Sequence, residues 1–226
     1  MTVMDVLDPT DFEPRASAPP LGPDEIHVWS VGVDAALSPS QIGAAAQAAL
    51  AQFLCVYANC ARAPRIELGA HGKPFAPDLP DLHFNLSHAG PDLLLGFARS
   101  QALGVDLERR DRRASIDGIA GRFFAPSEAQ ALAALAQVQQ RDAFLRLWTH
   151  KEAVLKAIGS GLNFGLHRVE FSLGPNHEIH SLLQVAEEAG TAAEWCVRRV
   201  DPGPGLLGAL AWRGAERRVR TFTWAP

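Results

Sequence analysis

Two short stretches carry the residue types that could do chemistry. In Trp148-Thr149-His150-Lys151-Glu152-Ala153-Val154-Leu155-Lys156, the residues Trp148, Glu152 and Lys156 stand four apart, so on a helix they share one face. Phe144, Leu147, Trp148, Val154, Leu155 and Ile158 recur at helical spacing; Asp142 suits the start of such a helix and Gly159 its end. Read alone, Glu152 and Lys156 make an ordinary surface pair worth about 0.2–0.5 kcal/mol. Upstream, Leu103-Gly104-Val105-Asp106-Leu107-Glu108 alternates as a strand does, which puts both carboxylates on one face. Two acids that close repel each other unless they are solvated or share a cation. Three carboxylates from one strand and one helix make a hard-oxygen site suited to Mg²⁺, with Lys156 beside it to meet a bridging phosphate.

Other elements must hold that strand and helix. Glu25 to Val33 reads as a strand. Ser38, Pro39 and Gln41 open a helix with a capping-box pattern that runs to about Tyr57 and buries Ile42, Ala46, Ala49, Phe53 and Tyr57. Residues 62–81, broken by Pro64, Pro74, Pro77 and Pro80, form a loop that carries Lys73. His83 to Ser87 and Leu93 to Ala98 are strands about a tight turn, which leaves Ser87 and His88 at a strand end. The run from Arg109 to Arg113 is a solvated loop or a local positive patch. Pro126 opens a helix with Glu128 in its first turn, and Gln139-Gln140 breaks the helical pattern. Strands at 169–173, 195–200, 206–212 and 219–224 complete the second half. Residues 1–24, rich in Pro and acidic groups, read as a flexible leader.

A chain of 226 residues with 47% hydrophobic residues buries a sizeable core, and its net charge of -4 gives no global field for nucleic acid. We see no apolar run long enough for a membrane and no secretory signal. Cys55, Cys60 and Cys196 lack metal-like spacing and fit a reduced cytoplasm, as core residues.

Gly72-Lys73-Pro74, Phe84-Asn85-Leu86-Ser87-His88, Gly104 to Glu108, Phe123-Phe124 with Glu128, and Trp148 to Lys156 come in the order of a known family. The chain resembles the 4'-phosphopantetheinyl transferase superfamily, in its long single-chain type, from about Ile26 onward. The resemblance implies an α+β fold of two similar α/β halves about a pseudo-twofold axis, with largely antiparallel sheets. The halves would be 25–103 and 104–226, with coenzyme A between them. It implies Mg²⁺-dependent (or Mn²⁺-dependent) transfer of 4'-phosphopantetheine from coenzyme A to a serine of an acyl or peptidyl carrier protein, releasing 3',5'-ADP. Such carriers serve polyketide, nonribosomal-peptide and fatty-acid synthesis. Asp106, Glu108 and Glu152 would hold the metal. Lys156 would stabilise the leaving group, and Glu152 or Glu108 would accept the serine proton. Lys73, Ser87, His88, Lys151 and Lys156 would contact coenzyme A. An acidic carrier would dock near Arg109, Arg110, Arg112, Arg113 and Phe123, on a cytoplasmic monomer. The alternatives are a non-catalytic homologue that binds coenzyme A or carrier protein, and a Mg²⁺-dependent phosphoester hydrolase. One departure stands out: Leu37 to Cys60 lacks the Lys and Arg residues with which relatives hold the nucleotide, so weak discrimination of the 3'-phosphate is expected.

Overall fold

The computed structural model describes residues 5–112, 116–160, 165–174 and 178–225, and for 116 and 117 the backbone alone. Its fold is α+β with mostly antiparallel sheets. The first sheet contains β2 (Glu13–Arg15), β3 (Glu25–Gly32), β6 (Leu82–Ala89), β7 (Asp92–Arg99) and β13 (Arg218–Trp224), in the order β2-β13-β3-β7-β6. The second contains β1 (Val6–Leu7), β8 (Leu103–Arg109), β11 (Trp195–Val200) and β12 (Leu206–Arg213), in the order β1-β11-β12-β8. Two small pairs, β4 (Glu67–Leu68) with β5 (Pro74–Phe75) and β9 (Glu170–Leu173) with β10 (Ile179–Gln184), are antiparallel. A turn is expected at Gly174-Pro175-Asn176; past Gly174 it lies outside the described residues.

Strand alternation divides the core into layers. Trp29, Leu95 and Phe97 pack with Phe53 and Tyr57 of α1 (Pro39–Ala58). From the other face of the same strands, Ile26, Val28, Leu94 and Ala98 meet Leu103, Val105, Leu210 and Trp212 of the second sheet. The far face of that sheet, with Leu207, Ala209 and Ala211, packs against Phe144, Leu147, Val154 and Leu155 of α4 (Gln137–Ile158). The layers therefore run helix, sheet, sheet, helix, and both faces of each sheet are buried.

α1 starts where expected, with Gln41 Oε1 accepting from the Ser38 N–H at 2.9 Å. It is also long and apolar enough, by length and composition, to cross a membrane, contrary to our reading of the sequence. Ile42, Ala46, Leu50, Phe53, Leu54 and Tyr57 are buried within the protein. The helical break falls at 134–136, between α3 (Pro126–Ala133) and α4, so Gln139 and Gln140 are helical. The side chain of Gln140 donates to Leu135 O at 3.1 Å and holds the corner.

The chain ends depart from expectation. β13, expected in the second half, runs parallel between β2 and β3 of the first sheet. β1 runs parallel beside β11 of the second. Residues 5–24, expected as a flexible leader, supply two strands and bury Phe12 and Leu21. The alternation of apolar residues marks a strand without naming its neighbour.

Candidate active site

β8 lies unusually close to α4 because Gly104 has no side chain. A Cβ there would stand 2.1 Å from Ala153 O and 2.4 Å from Ala157 N. The next residues on that face are Asp106 and Glu108, so both carboxylates look toward the helix. Asp106 is 5% exposed. Lys156 Nζ donates to Asp106 Oδ1 at 2.7 Å, to Ser87 Oγ at 2.9 Å and to Val105 O at 3.2 Å. Ser87 Oγ in turn donates to Asp106 Oδ1 at 2.9 Å and accepts from Leu107 N at 3.2 Å. Asp106 Oδ2 and Glu152 Oε1, from two acids that interact electrostatically, are buried with no hydrogen-bond partner, as is His150 Nε2 on the same helix as Glu152. Burial, and then the charge of Asp106, push the Glu152 carboxyl up to about 7, against the pull of Lys156 and Arg112.

Ser87 reaches this cluster because β6 and β8 are edge strands of different sheets that meet side to side. Asn85 and Ser87, two apart on β6, replace backbone pairing: Asn85 Oδ1 accepts from Val105 N at 2.8 Å. Sequence reasoning passed over Asn85, although its spacing from Ser87 marks a shared face. His88, one residue on, lies on the opposite face and is exposed.

The three carboxylates are not equivalent. Asp106 and Glu152 interact electrostatically. Glu108 is paired with Arg112, whose guanidinium lies 5.2 Å from the centre of the Trp148 ring. Among the described residues, no group of three His, Cys, Asp or Glu side chains is gathered as a metal cluster. The two orphaned carboxylate oxygens nevertheless fit a hard divalent cation, the partner each lacks.

Two other lysines stand elsewhere than expected. Lys151, one position from Glu152, points away from the cluster into the core, fully buried against Glu128 at 2.5 Å. It also donates to Leu166 O at 3.0 Å and to Val169 O, and lies over the Phe124 ring. Glu128 accepts from Ala125 N at 2.9 Å and Phe171 N at 2.8 Å. Burial lowers the Lys151 pKa and raises that of Glu128; their attraction opposes both shifts. Here Lys151 is a core brace, with its ammonium turned from any ligand. Lys73 donates to Lys156 O at 2.6 Å, Leu103 O at 3.0 Å and Ala157 O at 3.1 Å, capping the end of α4 and the start of β8. Burial lowers its pKa to about 8. It borders a cavity of about 660 Å³ beside Phe75, His83 and Gly159.

The arginine run is largely paired within the protein. Arg109 bonds Asp92 and Asp111, and Arg110 bonds Asp142. Arg113 lies outside the described residues. Phe123, at the end of α2 (Ile116–Phe123), is 44% exposed under the Arg122 guanidinium.

Comparison with known proteins agrees with the motifs. Residues 102–201 match the model of the 4'-phosphopantetheinyl transferase superfamily. The 4'-phosphopantetheinyl transferase Sfp of Bacillus subtilis (strain 168) is 37% identical over 142 residues, 62% of this chain and 59% of that protein. HetI of Nostoc sp. (strain PCC 7120 / SAG 25.82 / UTEX 2576) is 30% identical over 165 residues, 72% of this chain and 63% of its own. AcpT of Escherichia coli (strain K12) is 40% identical over 97 residues, 42% of this chain and 49% of its own. The chain thus spans less than two thirds of the length of these relatives. The matched region and these likenesses support the 4'-phosphopantetheinyl transferase superfamily for this chain.

Proposed function

We propose that the protein transfers 4'-phosphopantetheine from coenzyme A to a serine of an acyl or peptidyl carrier protein and releases 3',5'-ADP. The observation that carries this reading is the incomplete cluster around Asp106: one oxygen held by Ser87 and Lys156, the other buried without a partner, as is one oxygen of Glu152. A purely structural pair would satisfy both. Mg²⁺ held by Asp106 and Glu152, and by Glu108 once it leaves Arg112, would neutralise the charge of the pyrophosphate.

The chain's own groups do the rest. In phosphoryl transfer a protein mainly positions groups and stabilises charge. Lys156, fixed by Asp106, Ser87 and Val105 O, places its ammonium on the pyrophosphate. The serine oxygen attacks the phosphorus of the phosphopantetheine group, and the bridging oxygen departs with 3',5'-ADP, its new charge met by Lys156. Glu152 is the better proton acceptor of the two candidates. Glu152 stands free of any arginine pair in the site, while Glu108 is engaged by Arg112. The two sheet-and-helix units support the paired halves implied by the family, with their end strands exchanged.

The test mixes the protein with coenzyme A, Mg²⁺ and several apo carrier proteins and reads the carrier's mass. A gain of one phosphopantetheine group supports the reading. Consumption of coenzyme A without carrier modification would instead indicate a hydrolase. Binding of either substrate without turnover would indicate a non-catalytic homologue.

A further inference from the structure

The end of α1 brings two cysteines together. Asn59 there is left-handed, at φ 50° and ψ 46°. Cys60 N donates to Cys55 O at 3.0 Å and Asn59 N to Val56 O at 3.1 Å. This doubly bonded reversal places the side chain that follows the left-handed residue against the one five positions earlier. Both are thiols here, both are half-buried, and burial and the Cys60 thiol raise the pKa of Cys55. Cys60 Sγ also donates to Arg62 O at 3.1 Å and borders a cavity of about 630 Å³ lined by Arg62, Arg65, Asp78 and Leu79, in which Arg65 also pairs with Glu67 at 2.9 Å.

We propose that Cys55 and Cys60 form a reversible disulfide site whose reagent is a small anionic disulfide of the acidic-peptide class, seated against Arg62 and Arg65. Cys60, facing the cavity, gives its proton to solvent and attacks one sulfur of the reagent. The reagent's S–S bond breaks, one reagent thiolate leaves, and a mixed disulfide remains on Cys60. Cys55 is the resolving thiol, held protonated to higher pH by burial and by its neighbour. On losing its proton it attacks Cys60 Sγ and expels the second reagent thiolate. Two electrons pass from the protein to the reagent, and the two thiol protons end on the departing thiols. The closed ring pins the turn from which the segment bearing Lys73 leaves α1. Leu79, which borders this cavity, also borders the one beside Lys73. Cys196, on β11 of the second sheet and bonded to Gly214 O, takes no part.

The full chain is incubated with oxidised glutathione, and intact mass and alkylatable thiols are read. The expected result is a loss of about 2 Da and of two of the three alkylatable thiols, reversed by dithiothreitol. Cys55→Ser should stop at the glutathione adduct. Cystamine, a cationic disulfide, should react more slowly than oxidised glutathione, and Arg62→Gln with Arg65→Gln should bring the ratio of rates to about one. Three thiols still alkylatable, a wild-type adduct that never closes, or a bond that uses Cys196 would overturn the disulfide site. Equal rates for the two reagents in the parent protein would overturn the anionic reagent.

Discussion

α4 carries two lysine–carboxylate pairs, one on each side, and their difference separates architecture from chemistry. The Lys151–Glu128 pair is sealed in the core, and its polar atoms are matched: the ammonium meets a carboxylate and two carbonyls, and the carboxylate also takes two backbone N–H groups. The Lys156–Asp106 pair lies at the junction of the two sheets and leaves one oxygen of Asp106 and one of Glu152 with nothing to bond. Leaving a buried polar group unpaired costs about 1–3 kcal/mol, so a fold keeps such a defect where a ligand removes it. Bonding is complete in the brace and incomplete in the candidate site.

The largest effect should come from the brace. Lys151→Met leaves Glu128 charged and unpaired in the core and should lower stability by about 3–5 kcal/mol in urea. Adding Glu128→Leu should recover part of that loss. A single variant within about 1 kcal/mol of the parent would break the contrast. The site should respond in the opposite sense. The Glu152 carboxyl binds its proton near 7 in the folded chain and near 4.5 when unfolded. Between those values Glu152 by itself takes stability from the metal-free protein as pH rises, on the order of 3 kcal/mol in all, while His27 and His150, which burial lowers to about 4, act in the opposite sense over the same window. The stability of the parent relative to Glu152→Gln should therefore fall as pH rises through that window; parallel curves for the two would remove Glu152 as a titrating group.

Asp106→Asn and Glu152→Gln should each slow transfer by roughly a hundredfold, about 2.7 kcal/mol in the barrier, with unfolding midpoints unchanged or higher. Loss of turnover accompanied by unfolding would return the cluster to an architectural role. Lys73→Met comes next, with a stability loss of about 1–3 kcal/mol from the uncapped carbonyls. Because Lys73 holds the backbone of Lys156, kcat should fall more than KM for coenzyme A rises. The reverse pattern would restore Lys73 as a phosphate contact. Arg110→Glu should matter least. It breaks an exposed pair with Asp142 worth at most about 1 kcal/mol and should leave KM for carrier protein nearly unchanged. A large rise in that KM at low salt would revive the arginine run as a docking surface.

The candidate site was legible where its cues are local. A period of two put Asp106 and Glu108 together, and a spacing of four put Glu152 below Lys156. The same arithmetic should have excluded Lys151, one residue and about 100° around the helix from Glu152. Other roles lay beyond local cues. Lys73 meets carbonyls more than 80 positions away. Arg109 and Arg110 are neutralised by Asp92 and Asp142, acids from other elements. Ser87 gained its role from the meeting of two sheet edges. The partners of β1 and β13 were likewise invisible, since strand patterning carries no address.

The exchange of end strands bears on synthesis. The first sheet lacks its inner strand until residues 218–224 have been made, although β3 emerges almost two hundred residues earlier. The nascent chain must hold an open gap between β2 and β3 throughout, its backbone groups unpaired. Contacts of such sequence separation form slowly. Loss of the last strand would therefore damage the half of the molecule made first, and a stalled ribosome would present a sheet open to pairing with another chain.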